Sequence, residues 1–541
     1  MKLVASVAAL CALATVLSAC SGSSNNSNKP KSTGSGSNSG TSSSKVVSNG
    51  TFTLASSSDP GNLDPQGSAL TVDYQMAQFA YDSLLSIDAK GTIGSGLATS
   101  WQVSGKNVSL TMHKNVTCSD GAPFTAADAA ANINYVADPK NKSPWLGVFI
   151  PAGAKATGDA AVGTLRITLA GAAPFVLNGL ASLPMVCAKG MQNRKSLARS
   201  TDGTGPYQLT EVVASDHYTY TKRTGYTWGP AGASTATAGI PAKIVVKVVQ
   251  NETTAANLLL SGGLSAATIV GADVKRLKAA HLFEADVNVV AGEMWFNQAA
   301  GKPGADPAVR QALTTALDLA QVQKVITSGN GAPPTEFAAL PPVACPGNSV
   351  SAALPAHSLD KAKQELDAAG WKAGAGGIRT KNGKQLAVTF VWANTGGAGV
   401  SAAAELATQT WQQLGVKVSS KGQDATTINA TLFSTGNWDV GWLTLNVSSP
   451  DQLVPFLSGP VPASGTNFGH INNSAYTALV AKASAQNGAA GCPDWLKAET
   501  EIVRAADVIP FANQVTTTFG NHTQFAIAGA IVPTSIRMLA S

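Results

Sequence analysis

The sequence predicts an α/β protein that is built from more than one compact unit. Candidate strands and helices alternate along the chain: the β-rich residues 243–249 (KIVVKVV), for example, are followed by helical spacing in residues 253–260. Such alternation is typical of α/β layers. About 490 of the 541 residues follow the N-terminal segments discussed next, and a chain of this length is too long for one hydrophobic core.

The N-terminus has the pattern of an export signal. Lys2 precedes an apolar run over residues 3–17, and small residues then lead to Cys20. The sequence LSAC at residues 17–20 resembles the bacterial lipobox. That resemblance implies removal of residues 1–19, lipidation of Cys20 and an extracytoplasmic protein anchored to the cell membrane by lipid alone. The alternative is an ordinary signal peptide with an incidental cysteine.

Residues 20–48 are predicted to form a disordered tether. They consist largely of Ser, Gly, Asn and Thr, and such a segment buries too little apolar surface to offset the entropy lost on ordering. A flexible chain of this length spans roughly 25–30 Å, which would hold a folded body clear of a membrane.

Composition argues against several classes of protein. The net charge of +6 is spread thinly, with 13% charged residues and no basic run, so nucleic acid is not an expected partner. No apolar run after the signal reaches the roughly 18 residues of a membrane span. The apolar residues 525–532 are predicted to form one core strand.

Four cysteines remain for the mature body after Cys11 and Cys20 are set aside. An even number in an exported protein favours disulfides, with three possible pairings. No CxxC, HxH or HxxxH pattern supports a metal site, and neither a metal nor a cofactor is expected. The four are Cys118, Cys187, Cys345 and Cys492.

Several further strands and helices are predicted along the chain. Residues 50–56 alternate as a first strand, and residues 71–85 have helical spacing. Residues 103–113 alternate as a strand. Thr125 and Asp128 form a capping box that opens a helix ending near residue 136. Amphipathic helices are predicted over residues 360–369 and 401–414, each stopped by glycine, and residues 416–420 alternate as a strand.

Short motifs in register then resemble the family 5 extracellular solute-binding proteins, the dipeptide and oligopeptide receptors of ABC importers. The motifs extend over nearly the whole mature chain. They are NLDP (62–65), YDSLL (81–85), GLATSW (96–101), SDGAPFTAAD (119–128), GTGPY (203–207), WFN (295–297), DPAVRQALTTALDL (306–319), DKAKQELDAAGW (360–371), WQQLGVKV (411–418) and GNWD (436–439).

The resemblance implies a two-lobed clam-shell of the type II periplasmic-binding-protein kind. Lobe 1 would comprise residues 49–82, 203–293 and 512–541, with residues 83–202 inserted as a third subdomain. Lobe 2 would comprise residues 294–511. This layout places one cysteine pair in each of two parts, and so selects the disulfides Cys118–Cys187 and Cys345–Cys492.

A cleft between lobes needs flat apolar walls and a few inward polar groups. Tryptophans beside polar residues near the crossings and in residues 436–450 are therefore the candidates, with Trp442 also matching a pocket residue of peptide-binding relatives. In those relatives the third residue after this Trp is an Asp that pairs with the ligand amine. Here Leu445 stands there, and Asp451 could substitute. The candidates are Trp295, Asn297, Trp392, Asn394, Trp438, Trp442, Leu445 and Asn446.

No catalytic pattern such as HExxH or GxSxG occurs, so an enzyme is not expected. The resemblance implies a monomeric substrate-binding lipoprotein that captures short peptides or a peptide-like solute and delivers it to an importer permease. The alternative is a surface lipoprotein that senses or scavenges a solute, metal chelate or haem without a dedicated importer. A secreted hydrolase is a third hypothesis, and the missing motifs argue against it.

Overall fold

The computed structural model describes residues 45–68, 70–394 and 397–540. The predicted signal, the lipidation site at Cys20 and most of the predicted tether lie outside the described residues. The ordered body begins before residue 48, because Val46 forms a β-bridge with Leu539 and the Val47 N–H donates to the Met538 carbonyl at 2.9 Å. The prediction that the tether extends to residue 48 is therefore wrong at its C-terminal end.

The helices and strands alternate as predicted. The strands are β1 (Thr51–Ser56), β2 (Leu85–Ile87), β3 (Ile93–Ser95), β4 (Ala98–Ser104), β5 (Asn107–Met112), β6 (Lys155–Asp159), β7 (Thr164–Thr168), β8 (Tyr207–Val213), β9 (His217–Lys222), β10 (Lys243–Val248), β11 (Ala266–Ile269), β12 (Phe283–Phe296), β13 (Gly331–Ala332), β14 (Lys372–Ala373), β15 (Arg379–Lys381), β16 (Lys384–Gln385), β17 (Ala387–Ala393), β18 (Lys417–Gln423), β19 (Val440–Trp442), β20 (Val508–Gly520), β21 (Thr523–Gln524), β22 (Ile527–Ala528), β23 (Ala530–Ile531) and β24 (Arg537–Met538). The α-helices are α1 (Thr71–Ala80), α2 (Ala126–Ala137), α3 (Val176–Ser182), α4 (Ala188–Gln192), α5 (Glu252–Leu260), α6 (Val274–Ala279), α7 (Pro307–Thr315), α8 (Leu319–Ile326), α9 (Leu359–Ala368), α10 (Gly397–Gln413), α11 (Ala425–Ala430), α12 (Val454–Leu457), α13 (Ser474–Ser484) and α14 (Cys492–Arg504).

One mixed sheet runs through most of the body. Among the described residues it has eleven strands in the order β18-β17-β19-β12-β20-β11-β1-β10-β9-β8, with β13 also paired to β20. Strands β1, β10 and β11 pair in parallel at one end, and β17, β18 and β19 do so at the other. Parallel pairs need helical crossovers, which explains the repeated alternation in the sequence.

The long antiparallel pair β12–β20 joins the two ends of this sheet. Strand β11 pairs with β20 near Gly520, whereas β19 pairs with the opposite end of β12 at Met294. The register of β12 is irregular between Val290 and Glu293. Gly292 lies in this irregularity. A Cβ at residue 292 would approach the Phe511 ring to 2.3 Å, so the close contact depends on glycine. We propose that the lobes meet at this point, beside the boundaries predicted at residues 293–294 and 511–512.

The apolar residues form separate cores rather than one. The largest core takes its buried members from residues 294–512, with one exception, Phe175. A second core is built mainly from residues 84–187. A third core packs residues 52–81 and 525–538 with strands β8 to β11. A fourth packs α5 and α6 against β11 and Phe519. The layout of two lobes and an inserted subdomain stays a prediction, and these separate cores are compatible with it.

Each of two cores contains a disulfide. Cys118 and Cys187 are joined, 69 residues apart in sequence, and both lie in the second core. Cys345 and Cys492 are joined, 147 residues apart; Cys345 is buried in the largest core and Cys492 packs against it. These are the pairings that the family layout implied.

Helix α1 ends at Ala80, earlier than the predicted residue 85. The physical reason is Asp82, which accepts hydrogen bonds from Thr204 Oγ1 at 2.9 Å, Tyr226 Oη at 2.8 Å and Trp228 Nε1 at 3.1 Å. These bonds draw the chain out of the helix and satisfy a buried carboxylate. Burial nevertheless raises the pKa of Asp82. The YDSLL and GTGPY motifs thus contact each other and support the fold.

Residues 525–532 form two short strands, β22 and β23, instead of the one predicted core strand. Gly529, with φ of 74°, turns the chain between them. A left-handed glycine permits this tight reversal. No helix in the described part of the chain is long and apolar enough to cross a membrane.

Candidate functional site

A crevice lies between two segments that are far apart in sequence, residues 148–182 and 448–452. The first segment belongs to the inserted part of the chain and the second to the part that builds the largest core. The crevice is narrow, with a cavity volume of about 10 Å³, far below the roughly 300 Å³ of a typical small-molecule pocket. Its lining residues are Val148, Phe149, Phe175, Asn178, Gly179, Ser182, Ser448, Ser449, Asp451 and Gln452.

A larger depression, with a cavity volume of about 220 Å³, is found among α8, α9 and α10. All of its lining residues fall within residues 316–413. It is therefore a groove on the surface of one part of the molecule, and two parts of the chain do not close around it. The smaller crevice is the better candidate for solute capture because one wall comes from the inserted part of the chain and the other from the part that builds the largest core.

A short 3₁₀ helix, Pro450–Leu453, positions the polar wall of the crevice. Ser449 and Gln452 form a capping box at its start, which fixes the direction of the loop. Ser449 Oγ donates to Asp451 Oδ1 at 2.5 Å. Burial raises the pKa of Asp451, and no neighbouring cation offsets this effect. The crevice thus contains a carboxylate that has no cationic partner among the described residues.

Two buried aspartates in the same part of the chain do have cations. Asp507 pairs with Arg310 at 3.0 Å, and Asp439 pairs with Lys302 at 3.2 Å. A desolvated carboxylate without such a partner is costly. Asp451 shares this condition with Glu293 but, unlike Glu293, it lines the crevice. Bringing a ligand cation to this carboxylate would remove that cost.

The opposite wall is aromatic and rigid. Phe149 stacks on Trp145 with ring centroids 4.2 Å apart and planes 12° from parallel. Trp145 Nε1 donates to the Pro65 carbonyl at 2.8 Å, and Tyr74 packs edge-on against the same ring at 5.9 Å. The NLDP turn that contains Pro65 therefore holds this wall in place. The wall can contact an apolar group of a ligand.

The lining contains one carboxylate, several hydroxyls and amides, and two phenyl rings, but no Lys, Arg or His. Such a site can bind an amphipathic solute through hydrogen bonds and apolar contact. Within the described residues no group of three or more His, Cys, Asp or Glu side chains is arranged to hold a metal ion.

Three tryptophans predicted to line the cleft lie in the core. Trp295 and Trp438 are 0% exposed, and Trp442 is 4% exposed. Trp442 packs against Phe390 at 5.0 Å and Phe511 at 4.8 Å. The prediction that these rings face a cleft needs correction, because core side chains enclose them: Trp295 and Trp438 pack against Phe468.

The predicted polar candidates near this strand pair serve the backbone. Asn297 Nδ2 donates to the Trp438 carbonyl at 3.1 Å. Asn446 Oδ1 accepts from the Val290 N–H at 2.8 Å. Both asparagines therefore tie loops to β12, and neither lines the crevice.

Trp392 and Asn394, at the end of β17, also lie away from the crevice lining. Trp392 is half-buried and packs against Phe390 at 5.2 Å, whereas Asn394 is exposed. None of the eight residues predicted from sequence lines the crevice. Asp451, considered only as a substitute for the missing Asp, does line it.

Leu445 lies beside an unexpected carboxyl group. Its N–H donates to Glu293 Oε2 at 2.8 Å, and Glu293 Oε1 is buried without a partner among the described residues. Burial raises the pKa of Glu293 to about 8. Sequence reasoning missed this residue because an isolated Glu inside a strand has no motif around it.

The aromatic wall was also missed. Its sequence signal is visible in hindsight: the residues SPWLGVF at 143–149 place two large aromatic side chains in a Ser-, Pro- and Gly-containing loop. Loops that carry such residues are frequent ligand contacts.

Comparison with known proteins identifies relatives over most of the chain. The periplasmic murein peptide-binding protein MppA of Escherichia coli K12 is 25% identical over 493 residues, covering 84% of this chain and 85% of MppA. The nickel-binding periplasmic protein of the same organism is 27% identical over 396 residues, covering 69% and 71%.

Solved structures share the fold. A substrate-binding protein from Microbacterium hydrocarbonoxydans, complexed with 4-hydroxybenzoate hydrazide, has a TM-score of 0.71 at 23% identity, covering 90% of this chain and 99% of that one. The oligopeptide-binding protein AppA from Bacillus subtilis, complexed with a nonapeptide, has a TM-score of 0.72 at 17% identity, covering 92% and 100%. These likenesses confirm the predicted two-lobed α/β architecture of type II periplasmic binding proteins.

The profile of the bacterial extracellular solute-binding proteins, family 5, matches residues 92–461 of the chain. This match confirms the resemblance that the short motifs indicated. The chain belongs to the family 5 bacterial extracellular solute-binding proteins.

Proposed function

We propose that this protein captures short peptides or peptide-like solutes in the crevice and delivers them to the membrane permease of an ABC importer. The observation that carries the proposal is the crevice itself, whose two walls come from residues 148–182 and 448–452. Contacts from one ligand to both walls would favour a closed arrangement, as in other hinged receptors. The peptide-binding relatives support the solute class.

We further propose that the protein acts as a monomer outside the cytoplasm and that lipidation of Cys20 anchors it. A tether of roughly 25–30 Å would keep the receptor near its importer. Replacing Cys20 by Ala is expected to release the protein from membranes. Retention of the C20A variant in the membrane fraction would contradict the anchor.

Asp451 is proposed to bind the cationic amine of the solute, in place of the aspartate that Leu445 replaces. Removing one partner of a desolvated ion pair costs on the order of 2–5 kcal/mol. The affinity is expected to fall as the pH falls through the pKa of Asp451, because protonation removes the negative charge. Since burial raises this pKa, the loss should begin at a higher pH than for an exposed aspartate.

The first test is native mass spectrometry of the protein purified from its own host. A bound species that fragments as a short peptide or peptide-like solute is the expected result. A bound solute of another chemical class would overturn the proposed substrate.

The second test compares Asp451→Asn with Asp360→Asn, an exposed aspartate on α9 with 87% of its side chain accessible. The probes are the tripeptide Phe-Ala-Ala and its N-acetylated form, measured by isothermal titration calorimetry. D451N should weaken binding of the free amine at least tenfold and D360N should not change it. Equal loss for the acetylated probe would show that Asp451 does not bind the amine.

A further inference from the structure

Phe175 lies at the start of α3, at a position where phenylalanine does not stabilise a helix. It is the N-cap of the helix Val176–Ser182 and makes no side-chain capping hydrogen bond. Ser, Thr, Asp and Asn are strongly preferred at this position because their side chains accept from free backbone N–H groups. Helix α3 therefore begins without a side-chain cap, as α1 and α4 also do; what sets Phe175 apart is the tertiary contact of its ring.

The side chain of Phe175 lies in a core that belongs to another part of the chain. It is 5% exposed and is grouped with residues 294–512, whereas its neighbours Val176 and Leu180 belong to the core of the inserted part. Its ring lies 6.2 Å from that of Trp495 on α14. No other described buried member of this core comes from before residue 294.

The backbone beside Phe175 is also bound across the same boundary. The Gly488 N–H donates to the Pro174 carbonyl at 2.9 Å. Helix α14, which carries Trp495, begins at Cys492, and the disulfide to Cys345 fixes that end. The ring therefore docks on a surface that is covalently held in place.

We propose that Phe175 is a positioning residue for solute capture, holding the inserted part against α14 and so keeping the crevice closed. Phe175 lines the crevice as well as the contact with Trp495, so release of the ring would widen the site. Opening about the β12–β20 pair would expose the ring to water. The burial of a large apolar side chain opposes that exposure.

The contact between Phe175 and Trp495 influences the fraction of protein molecules that are in the closed arrangement. The apparent affinity of a ligand falls in proportion to the fraction of protein in the competent arrangement. Phe175 would raise that fraction before any solute arrives. The inference rests on the proposed capture function only for its effect on affinity; its effect on molecular shape is independent of any ligand.

The experiment compares Phe175→Ala with Phe124→Ala. Phe124 is also 5% exposed, but it lies within the core of the inserted part. Small-angle X-ray scattering of each purified, ligand-free protein measures the radius of gyration. F175A is expected to have a larger radius than the unmodified protein. F124A is expected to lower the melting temperature without changing the radius.

Phe175→Leu keeps an apolar side chain and is expected to restore the compact radius in large part. Phe-Ala-Ala should bind F175A at least tenfold more weakly than F175L, by calorimetry. A radius for F175A equal to that of the unmodified protein, or an equal expansion in F124A, would overturn the proposal. If the radius changes but no peptide binds any variant, the proposed solute class fails and the closing contact stands.

Discussion

Glu293 shows how a single buried residue can make stability depend on pH. The side chain is 0% exposed, one carboxylate oxygen has no partner among the described residues, and burial raises its pKa from 4.5 to about 8. The unfolded chain ionises this group near pH 4.5, whereas the folded protein holds the proton. The contribution of Glu293 to the free energy of unfolding therefore falls as the pH rises from about 4.5 to about 8 and is constant above that.

Replacing Glu293 by Gln is expected to remove this loss, because the amide does not ionise. At pH 8 the variant should be more stable than the unmodified protein by on the order of 2–4 kcal/mol, with a much smaller difference at pH 5. Urea unfolding at both pH values measures this. Glu405→Gln, on the exposed side of α10, is the control and should show no such pH-dependent gain. A constant difference between E293Q and the unmodified protein would contradict the prediction.

Predictions for single residues were right where contacts between neighbours in sequence determine the local structure. The Thr125–Asp128 capping box forms at the start of α2, since its partners are three residues apart. Trp442 was placed wrongly, because a tryptophan in a β-strand has the same local pattern whether its ring meets a core or a ligand. The neighbours Phe390 and Phe511, distant in sequence, decide which.

At the scale of a single element, the path of strand β12 depends on one glycine. The strand pairs with β20 over its length, yet its register is irregular from Val290 to Glu293. A Cβ on Gly292 would lie 2.3–2.8 Å from atoms of the Phe511 ring. The strand can pass this ring only because residue 292 has no side chain.

Gly292→Ala is therefore expected to destabilise the protein by about 1–3 kcal/mol through overpacking. Thermal and urea unfolding measure the change. Gly171→Ala is the matched control, because a Cβ at Gly171 meets no atom within 4 Å, and it should be neutral or slightly stabilising. Similar stability of G292A and G171A would show that the ring moves aside without cost.

The elements themselves were largely predictable because period and capping are local signals. Strands β1 and β10 and helices α5, α9 and α10 occur within a few residues of their predicted positions. The end of α1 was not predictable, since it depends on hydrogen bonds from Thr204, Tyr226 and Trp228 to Asp82. Those donors lie more than a hundred residues further along the chain.

At the scale of the whole molecule, the disulfides stabilise two cores separately. Cys118–Cys187 closes 69 residues and Cys345–Cys492 closes 147. Cross-links over such loops reduce the entropy of the unfolded chain and typically contribute about 2–5 kcal/mol each.

Replacing either pair by alanine is expected to lower the free energy of unfolding by about 2–5 kcal/mol. Peptide mapping without reductant should recover the two linked pairs from the unmodified protein, and the melting temperature of each double variant should fall. Reduction should affect a double variant less than the unmodified protein. Recovery of all four cysteines as free thiols from the exported protein would refute this prediction.

The sequence by itself determined the family and the α/β alternation, because these depend on periodicity and on motifs that each occupy a few neighbouring residues. It also pointed to residues 436–450 without identifying the groups that matter. Only the tertiary structure brought Asp451 opposite Phe149 and placed Phe175 against Trp495. The physical reason is that the crevice forms where separately packed cores meet, and no local pattern records which distant side chains will face each other there.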